Sequence, residues 1–493
     1  MNLLQSIRTS ISENKNRNAF FINGNSYTYE QLGQSIANIK AALAGLKLSD
    51  NQNIGLIIND DLETYASIIA LWFEGHSYVP LSLDSPAERN LDVINQADIN
   101  IVLDSSNKID FEDIHIIHSS ALETATINLA PSNFNKENLA YIFFTSGTTG
   151  KPKGVPISFK NLATFCDAFE AMDCKIDNTD RCLQMFELTF DLSVMSYLIP
   201  LLKGACIYTI PKEEIKYSYI FELMEDEKLT FALMVPSILH YLRPYFDEID
   251  CPDMKNSLFC GEALPLDVAQ EWSNCVPNAR IMNVYGPTEH TIFCTELMYK
   301  RDDENKAYNG VLSIGKDMRG TTTIIVDQNN DEVAVNVKGE LCLSGDQLTN
   351  GYWKNPEKNK EAFFNKNGTR FYRTGDLCFK DSEGDIMYSG RIDFQAKIQG
   401  FRVELSEVEL YAKQGLEKVN AVAVAFNDSL GNTQIGLAIE SEESDTSSML
   451  DYMKSKMPPY MIPSSIKFVP TFPLNTNGKI DRKKITTHFT NNI

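Results

Sequence analysis

The sequence predicts an α/β protein: a large N-terminal domain of α/β layers with a β-rich submodule, followed by a small α+β C-terminal domain. Three observations lead there. Short apolar runs alternate with segments of helical period along most of the chain. The texture becomes strand- and turn-rich after about residue 310, and the segment after Gly390 has an apolar pattern of its own. At 493 residues the chain also exceeds what one ordinary hydrophobic core organises.

The runs NIGLIIN (53–59), INIVLD (99–104), AYIFFT (140–145), CIYTI (206–210), FALMV (231–235) and SLFC (257–260) are short and continuously apolar. That is the pattern of strands buried on both faces of a parallel sheet. Between them, LETYASIIALWFEG (62–75) and SYIFELMEDEKL (218–229) repeat at helical spacing. Further on, TTTIIVD, GELCLSG and DIMYSG are separated by Gly-Asp and Asn-Gly turn signals. The last segment mixes a helix, SEVELYAKQGLEKV, with the strands AVAVAFN and TQIGLAIE. The acidic ESEESDTSS (440–448) is short and flanked by these signals, so a surface loop is expected there instead of a linker.

Composition excludes several classes of function. The net charge of −21 argues against a nucleic-acid partner, because a phosphate backbone needs a basic face. An anionic ligand must then be met by a local cluster of positive charge. The ten cysteines are scattered without a C-x-x-C, which indicates neither a zinc site nor a disulfide framework and suits buried thiols in a reducing compartment. The first residues, MNLLQSIRTSISENKNRN, lack a continuous apolar stretch, and no apolar run is long enough to span a bilayer. A cytoplasmic protein, not embedded in a membrane, is expected. His115 and His118 alternate within IHIIH with no further ligand cluster nearby and read as strand residues.

The segment YIFFTSGTTGKPKGV (141–155) carries the clearest chemistry. A strand-like run empties into glycines, hydroxyls and the two lysines Lys151 and Lys153, a composition that turns backbone N–H groups and positive charge toward phosphate. It is not a Walker A loop, because the glycine required five residues after Gly147 is Pro152. FDLSVM (190–195) puts Asp191 in an apolar setting, where it is either a helix N-cap or a ligand for a cation. In NVYGPTEHT (283–291), Tyr285 offers a face for a base, Thr288 a hydroxyl for phosphate, and Glu289 a carboxylate for Mg²⁺. YRTGD (372–376) ends on Asp376, suited to two ribose hydroxyls. NGKIDRKK (477–484) places Lys479 on a glycine turn among further cations, where the plain alternative is a basic tail.

Together these segments resemble the adenylate-forming superfamily of acyl-CoA synthetases, luciferases and amino-acid adenylation domains. The resemblance runs in order along essentially the whole chain. It comprises YTYEQL (27–32), EGHSYVPLSLDSP (74–86), FTSGTTGKPKGV (144–155), FDLS (190–193), NVYGPTE (283–289), GYWKNPE (351–357), YRTGDL (372–377), GRIDFQAKIQGFRVE (390–404) and NGKIDR (477–482). The resemblance implies an ATP site in which Thr145, Ser146, Gly147, Thr148, Thr149, Gly150 and Lys153 hold the β- and γ-phosphates. Tyr285 would meet the adenine, Asp376 and Arg391 the ribose, and Glu289 the Mg²⁺, with Gly261, Glu262, Asn283, Gly286 and Thr288 completing the site. It also implies a mobile C-terminal domain, dividing the chain into residues 1–392 and 393–493 about a hinge at Asp393. That domain brings the catalytic Lys479 to the substrate carboxylate and the α-phosphate.

The FDLS and NGKIDR forms resemble the amino-acid-activating members, in which the aspartate matching Asp191 pairs with the substrate α-ammonium. A buried ammonium needs such a partner. More narrowly, FDLSVM, FCGEALP (259–265), DFQAKIQGFRVEL (393–405) and PPYMIP (458–463) resemble the D-alanine–carrier protein ligases. Correspondence with that branch lines the side-chain pocket with Leu192, Met195, Leu233 and Leu258, and with Cys260, Val284, Ile292 and Phe293. These residues suit a small uncharged side chain. Cys260 matches a cysteine of those ligases, which slightly favours a role in specificity over an ordinary buried thiol.

The implied reaction has two steps: adenylation of the amino acid by ATP with release of pyrophosphate, then transfer to the phosphopantetheine thiol of a carrier protein. The enzyme itself is expected to be a monomer with no bound organic cofactor, and Arg482–Lys484 offers positive charge to an acidic carrier. Two other enzymes share much of this pattern. A stand-alone adenylation enzyme of a peptide assembly line would differ only in pocket and partner, and His290 and Phe293 depart from the ligase pattern. An acyl- or aryl-CoA synthetase would leave Asp191 without a cation to pair. A catalytically dead member of the fold is disfavoured by the presence of Lys479, Glu289 and Asp376 together.

Overall fold

The computed structural model describes residues 2–46, 48–132, 135–147, 151–393, 395–416, 419–474 and 480–490. The chain forms two compact units. The first comprises Met1–Ser82, Ile94–Phe143 and Gly154–Gly390; the second comprises Leu83–Val93, Phe144–Lys153 and Arg391–Ile493.

Two large sheets organise the first unit. One has six strands in the order His115–His118, Ile101–Asp104, Asn53–Ile58, Ser77–Ser82, Leu139–Thr145, Lys153–Ser158. Its first four neighbouring pairs are parallel. The other has nine strands, with a parallel centre formed by Arg280–Tyr285, Asn256–Phe259, Phe231–Met234, Arg181–Gln184, Cys206–Thr209 and Asn18–Ile22. Antiparallel strands flank that centre at both ends. The six apolar runs read from the sequence all become strands, with ends shifted by no more than a residue or two. His115 and His118 are indeed strand residues.

Two helices are buried on nearly every side. In Leu62–Phe73 all residues but Glu63 are buried, and in Leu192–Lys203 the first ten are. Trp72 donates its indole N–H to Ala140 O at 2.8 Å and meets the Phe159 ring edge-on at 6.0 Å. A single apolar core runs through both sheets and these helices. The expected β-rich submodule is a five-stranded sheet in which Thr321–Val326, Gly339–Gly345, Thr369–Lys380 and Phe363–Lys366 pair antiparallel in that order and Ile386–Arg391 also pairs with Thr369–Lys380.

The C-terminal part of the second unit is α+β. Strands Ala421–Asn427 and Thr433–Ile439 pair antiparallel, and Ser465–Phe468 joins in parallel. Alternation along Ala421–Asn427 sends Ala421 and Ala423 toward the helices Leu405–Gly415 and Ser447–Lys454. Val422 and Val424 instead face Ile485 and Phe489 of the last helix, Arg482–Thr490. Residues 440–446 form a largely exposed connection, as expected of the acidic stretch. Among the described residues no helix is long and apolar enough to cross a membrane.

Candidate active site

In the nine-stranded sheet the residues singled out for the side-chain pocket collect at the carboxyl ends of parallel strands, where open α/β sheets gather ligands. Leu233 and Leu258 are register partners on neighbouring strands, and Leu258 faces Met282 on the next. Cys260 follows at once, its N–H donating to Met234 O at 3.1 Å. Val284 lies near the end of Arg280–Tyr285. Leu192 and Met195 share a face of their helix, and Phe293 meets Phe165 edge-to-face at 5.0 Å. All eight are buried within one apolar core.

Asp191 precedes the helix Leu192–Lys203 and is 3% exposed. Its backbone is helical and its side chain makes no capping hydrogen bond. The N-cap reading is therefore not what the carboxylate does. Its charge adds to burial in raising the pKa values of Tyr78 and Tyr141. The hydroxyls of Tyr78 and Tyr197 lie 3.0 Å apart. Among the described residues, the buried hydroxyls of Tyr141 and Ser193 have no hydrogen-bond partner.

The loop Tyr285–Cys294 turns back on itself, and Cys294 N donates to Tyr285 O at 2.7 Å. Gly286 is required there: a Cβ would lie 2.3 Å from Phe293 Cα. The Tyr285 hydroxyl donates to Asp376 Oδ2, bringing together two residues the sequence reading assigned to adenine and ribose. Burial, then the Asp376 charge, hold the Tyr285 pKa well above its usual value. Asp376 is positioned by its own N–H, which donates to Thr374 Oγ1 at 3.0 Å. Gly375, at φ 72°, donates to Glu340, which also holds Arg373. Asn283 donates to Ser313 O at 2.9 Å. Glu262 accepts from Ser237 N at 2.9 Å, at the start of helix Pro236–Leu242, just after Gly261 at φ 92°.

Glu289 is fully buried in a short 3₁₀ turn, Thr288–His290, and Thr288 before it is half-buried. Its Oε1 accepts from the Tyr352 hydroxyl at 2.6 Å, and its backbone carbonyl accepts from Thr349 N at 2.9 Å. Among the described residues no cluster of three or more His, Cys, Asp or Glu could hold a metal by itself. A single oriented carboxylate suits Mg²⁺, an ion commonly held by one or two carboxylates together with substrate phosphates, and Glu289 would be the residue to hold it.

Within the second unit the predicted phosphate donors are engaged with carboxylates. Lys153 Nζ lies 3.0 Å from Glu404 Oε1, and Gly147 N donates to Glu407 Oε2 at 3.1 Å. Ser146 Oγ donates to Arg402 O at 2.7 Å and accepts from Glu404 N at 3.2 Å. Arg89 pairs with Glu407 at 2.8 Å. Thr145 Oγ1 reaches Lys153 O at 3.5 Å. Arg391 binds Asp393 with two nitrogens, at 2.8 and 2.6 Å, and also reaches Gln395. Thr148, Thr149, Gly150 and the expected catalytic Lys479 lie outside the described residues.

Sequence reasoning passed over Glu404, Glu407, Tyr352 and Gln347. The first three stand in or beside the recognised segments GFRVE and GYWKNPE, so those segments held the available signal. Gln347 offered none.

Residues 7–353 match the family described as AMP-binding enzyme. D-alanine–D-alanyl carrier protein ligase of Bacillus licheniformis is 30% identical over 500 residues, covering 98% of this chain and 99% of that protein. Tyrocidine synthase 3 of Brevibacillus parabrevis is 28% identical over 94% of this chain, which corresponds to 7% of that protein. Among solved structures, the Vibrio cholerae adenylation domain AlmE in complex with glycyl-adenosine-5'-phosphate superposes with a TM-score of 0.86 at 23% identity. That match covers 99% of this chain and 98% of that one, and it bears on the fold alone.

Proposed function

Because the chain belongs to the AMP-binding enzyme family, we propose that it activates a small uncharged amino acid, D-alanine first among them. The product is an aminoacyl-adenylate, whose aminoacyl group is then transferred to the phosphopantetheine thiol of a carrier protein, with AMP leaving. The observation that carries the amino-acid reading is Asp191: a buried carboxylate whose side chain caps no helix and whose charge reaches the buried Tyr78 and Tyr141 hydroxyls. A substrate ammonium is the partner such a charge is suited to. The ligases that share about 30% identity along nearly the full chain support D-alanine and the carrier.

In the first step a carboxylate oxygen of the amino acid forms a bond to the α-phosphorus of ATP, and the bond to the pyrophosphate oxygen breaks. The protein contributes position and charge more than covalent chemistry. Tyr285 and Asp376 receive the nucleoside, with Arg391 at the ribose. Thr145–Lys153 grips the departing pyrophosphate, and Lys479 offsets charge where carboxylate and phosphate approach. Mg²⁺, held by Glu289, would neutralise phosphate charge. For Lys153 and Gly147 to meet phosphate, Glu404 and Glu407 must first release them. A rotation of the C-terminal domain about Asp393, between domains 1–392 and 393–493, would then separate adenylation from thiol attack. The second step forms a thioester and expels AMP. The enzyme is taken to work as a cytoplasmic monomer.

The similarity to tyrocidine synthase 3 favours a second reading, a stand-alone adenylation enzyme for another small or apolar L-amino acid. ATP–pyrophosphate exchange with D-alanine, L-alanine, glycine and a wider panel separates the two. Exchange confined to D-alanine supports the first, and preference for an L-amino acid supports the second. Exchange with fatty or aryl acids alone rejects both. Lys479→Ala should abolish exchange while ATP still binds; retained exchange removes Lys479 from the reacting centre.

A further inference from the structure

The loop after Glu289 holds a backbone that its own residues disfavour. Thr291 has φ 55° and Ile292 φ 74°, left-handed values that β-branched side chains rarely adopt. Such a conformation persists only where its surroundings over-determine it. Those surroundings centre on Gln347, which is fully buried. Its Nε2 lies 3.0 Å from Phe293 O, 3.3 Å from His290 O and 3.4 Å from Thr291 O. The contact is reciprocal, because Thr291 Oγ1 donates to Gln347 O at 2.5 Å. Two residues on, Thr349 N donates to Glu289 O.

The bracing segment is itself fixed. Asn161 Nδ2 donates to the carbonyls of Asp346 and Leu348 at 2.8 and 3.1 Å, and Thr349 Oγ1 donates to Pro156 O at 2.5 Å. A primary amide suits the position because it offers two N–H donors to converging carbonyls and carries no charge into a buried site. A carboxylate there would face those carbonyls with acceptors only.

We propose that Gln347 is a positioning residue, holding the strained Thr291–Ile292 backbone so that Glu289 and the Ile292–Phe293 wall are placed together. It touches no reacting atom. It acts through a loop that carries the proposed Mg²⁺ carboxylate at one end and the proposed side-chain pocket at the other. The inference therefore deepens the functional reading above and rests on it.

The test compares Gln347→Leu, Thr291→Ala and Thr291→Ser with Val326→Ala, which removes buried volume on the far face of the β-rich sheet and serves as a stability control. Each is assayed below its melting transition by ATP–pyrophosphate exchange, varying amino acid, ATP and Mg²⁺ separately. Gln347→Leu is expected to raise the amino-acid KM and the half-saturating Mg²⁺ by about tenfold each, with the KM for ATP changed less than about threefold. Thr291→Ala should move both in the same direction by less, and Thr291→Ser, which keeps the hydroxyl, should restore them. Val326→Ala should lower the melting temperature and leave both constants alone.

If Gln347→Leu changes only stability, as Val326→Ala does, the proposal is overturned. If Gln347→Leu does not fold, Thr291→Ala against Thr291→Ser decides, and equal constants for the two reject it. Should the wild-type enzyme exchange only with some other class of acid, the amino-acid reading fails. The same variants assayed with that acid would then still test the brace.

Discussion

Lys153 and Glu404 form a buried ion pair in the second unit, with 3.0 Å between Nζ and Oε1 and 7% and 6% of the side chains exposed. Gln395 Nε2 adds a 2.6 Å hydrogen bond to the same Glu404 oxygen. In the proposed function a phosphate group would seek the same ammonium, and carboxylate and nucleotide would then compete for it. Breaking such a pair by removing one partner typically costs about 3–5 kcal/mol. Glu404→Gln should therefore lower stability, yet lower the KM for ATP in the exchange reaction by about threefold, since Lys153 no longer has to be released. Lys153→Ala should share the stability loss and raise that KM. Denaturant unfolding and exchange kinetics on both variants check this; an unchanged or raised KM for ATP in Glu404→Gln would rule the competition out.

Asp191 separates structural from functional roles in one substitution. A true N-cap aspartate replaced by a non-capping residue costs about 0.5–2 kcal/mol. Since Asp191 makes no cap bond, Asp191→Ala should not lower the melting temperature by that mechanism. Its removal should lower kcat/KM for the amino acid by about a hundredfold or more, the cost of leaving a buried ammonium unpaired. Calorimetry beside the exchange assay measures both, and a stability loss with intact exchange would return Asp191 to a structural role.

Six of the parallel strands were legible because burial on both faces demands continuous apolar runs; Asn18–Ile22, Ser77–Ser82, Arg181–Gln184 and Arg280–Tyr285, which carry polar residues, were not. The N-cap or ligand ambiguity at Asp191 was not resolvable from sequence, since the two uses differ only in where the carboxylate points. Nor does any compositional shift mark Leu83–Val93 and Phe144–Lys153 as parts of the second unit. Their membership is a matter of tertiary proximity, seen for example in the Arg89–Glu407 ion pair, whose partners stand hundreds of residues apart in the chain. Gln347 was invisible for the same reason. A neutral amide in a turn acquires meaning only when another loop's carbonyls converge on it.

His290, beside Glu289, gives a pH dependence with a definite sign. It is fully buried, and burial pushes its pKa from 6.5 down to about 4. The unfolded chain takes up a proton below pH 6.5 that the folded ring refuses until about pH 4. The stabilising effect is thus complete above pH 6.5 and is lost as pH falls toward 4, about 3 kcal/mol across the window. Asp60 opposes it: burial raises its pKa from 3.8 to about 6, so its contribution weakens stability as pH rises between those values. Urea unfolding of wild type and His290→Leu at pH 7 and pH 4.5 cancels the shared Asp60 effect. Wild type should lose about 2 kcal/mol more than the variant over that interval; equal losses would show that His290 does not titrate as described.

Tyr352 offers a direct probe of Glu289. Its hydroxyl donates at 2.6 Å to Glu289 Oε1 and lies 3.4 Å from the Tyr372 hydroxyl, with all three side chains buried. Tyr352→Phe keeps the ring and its edge-on contact with Phe363 at 6.0 Å, so packing is largely preserved. What it removes is a charge-assisted donor that fixes the carboxylate, worth about 1.5–3 kcal/mol. If Glu289 holds Mg²⁺, the loss should appear as a half-saturating Mg²⁺ raised by about tenfold, because groups that orient a metal ligand commonly control affinity on that scale. At saturating Mg²⁺ the exchange rate should recover, whereas Glu289→Gln should stay slow at any Mg²⁺ concentration. A Tyr352→Phe enzyme with a lowered melting temperature but a wild-type Mg²⁺ profile would leave Tyr352 as packing and detach Glu289 from the metal.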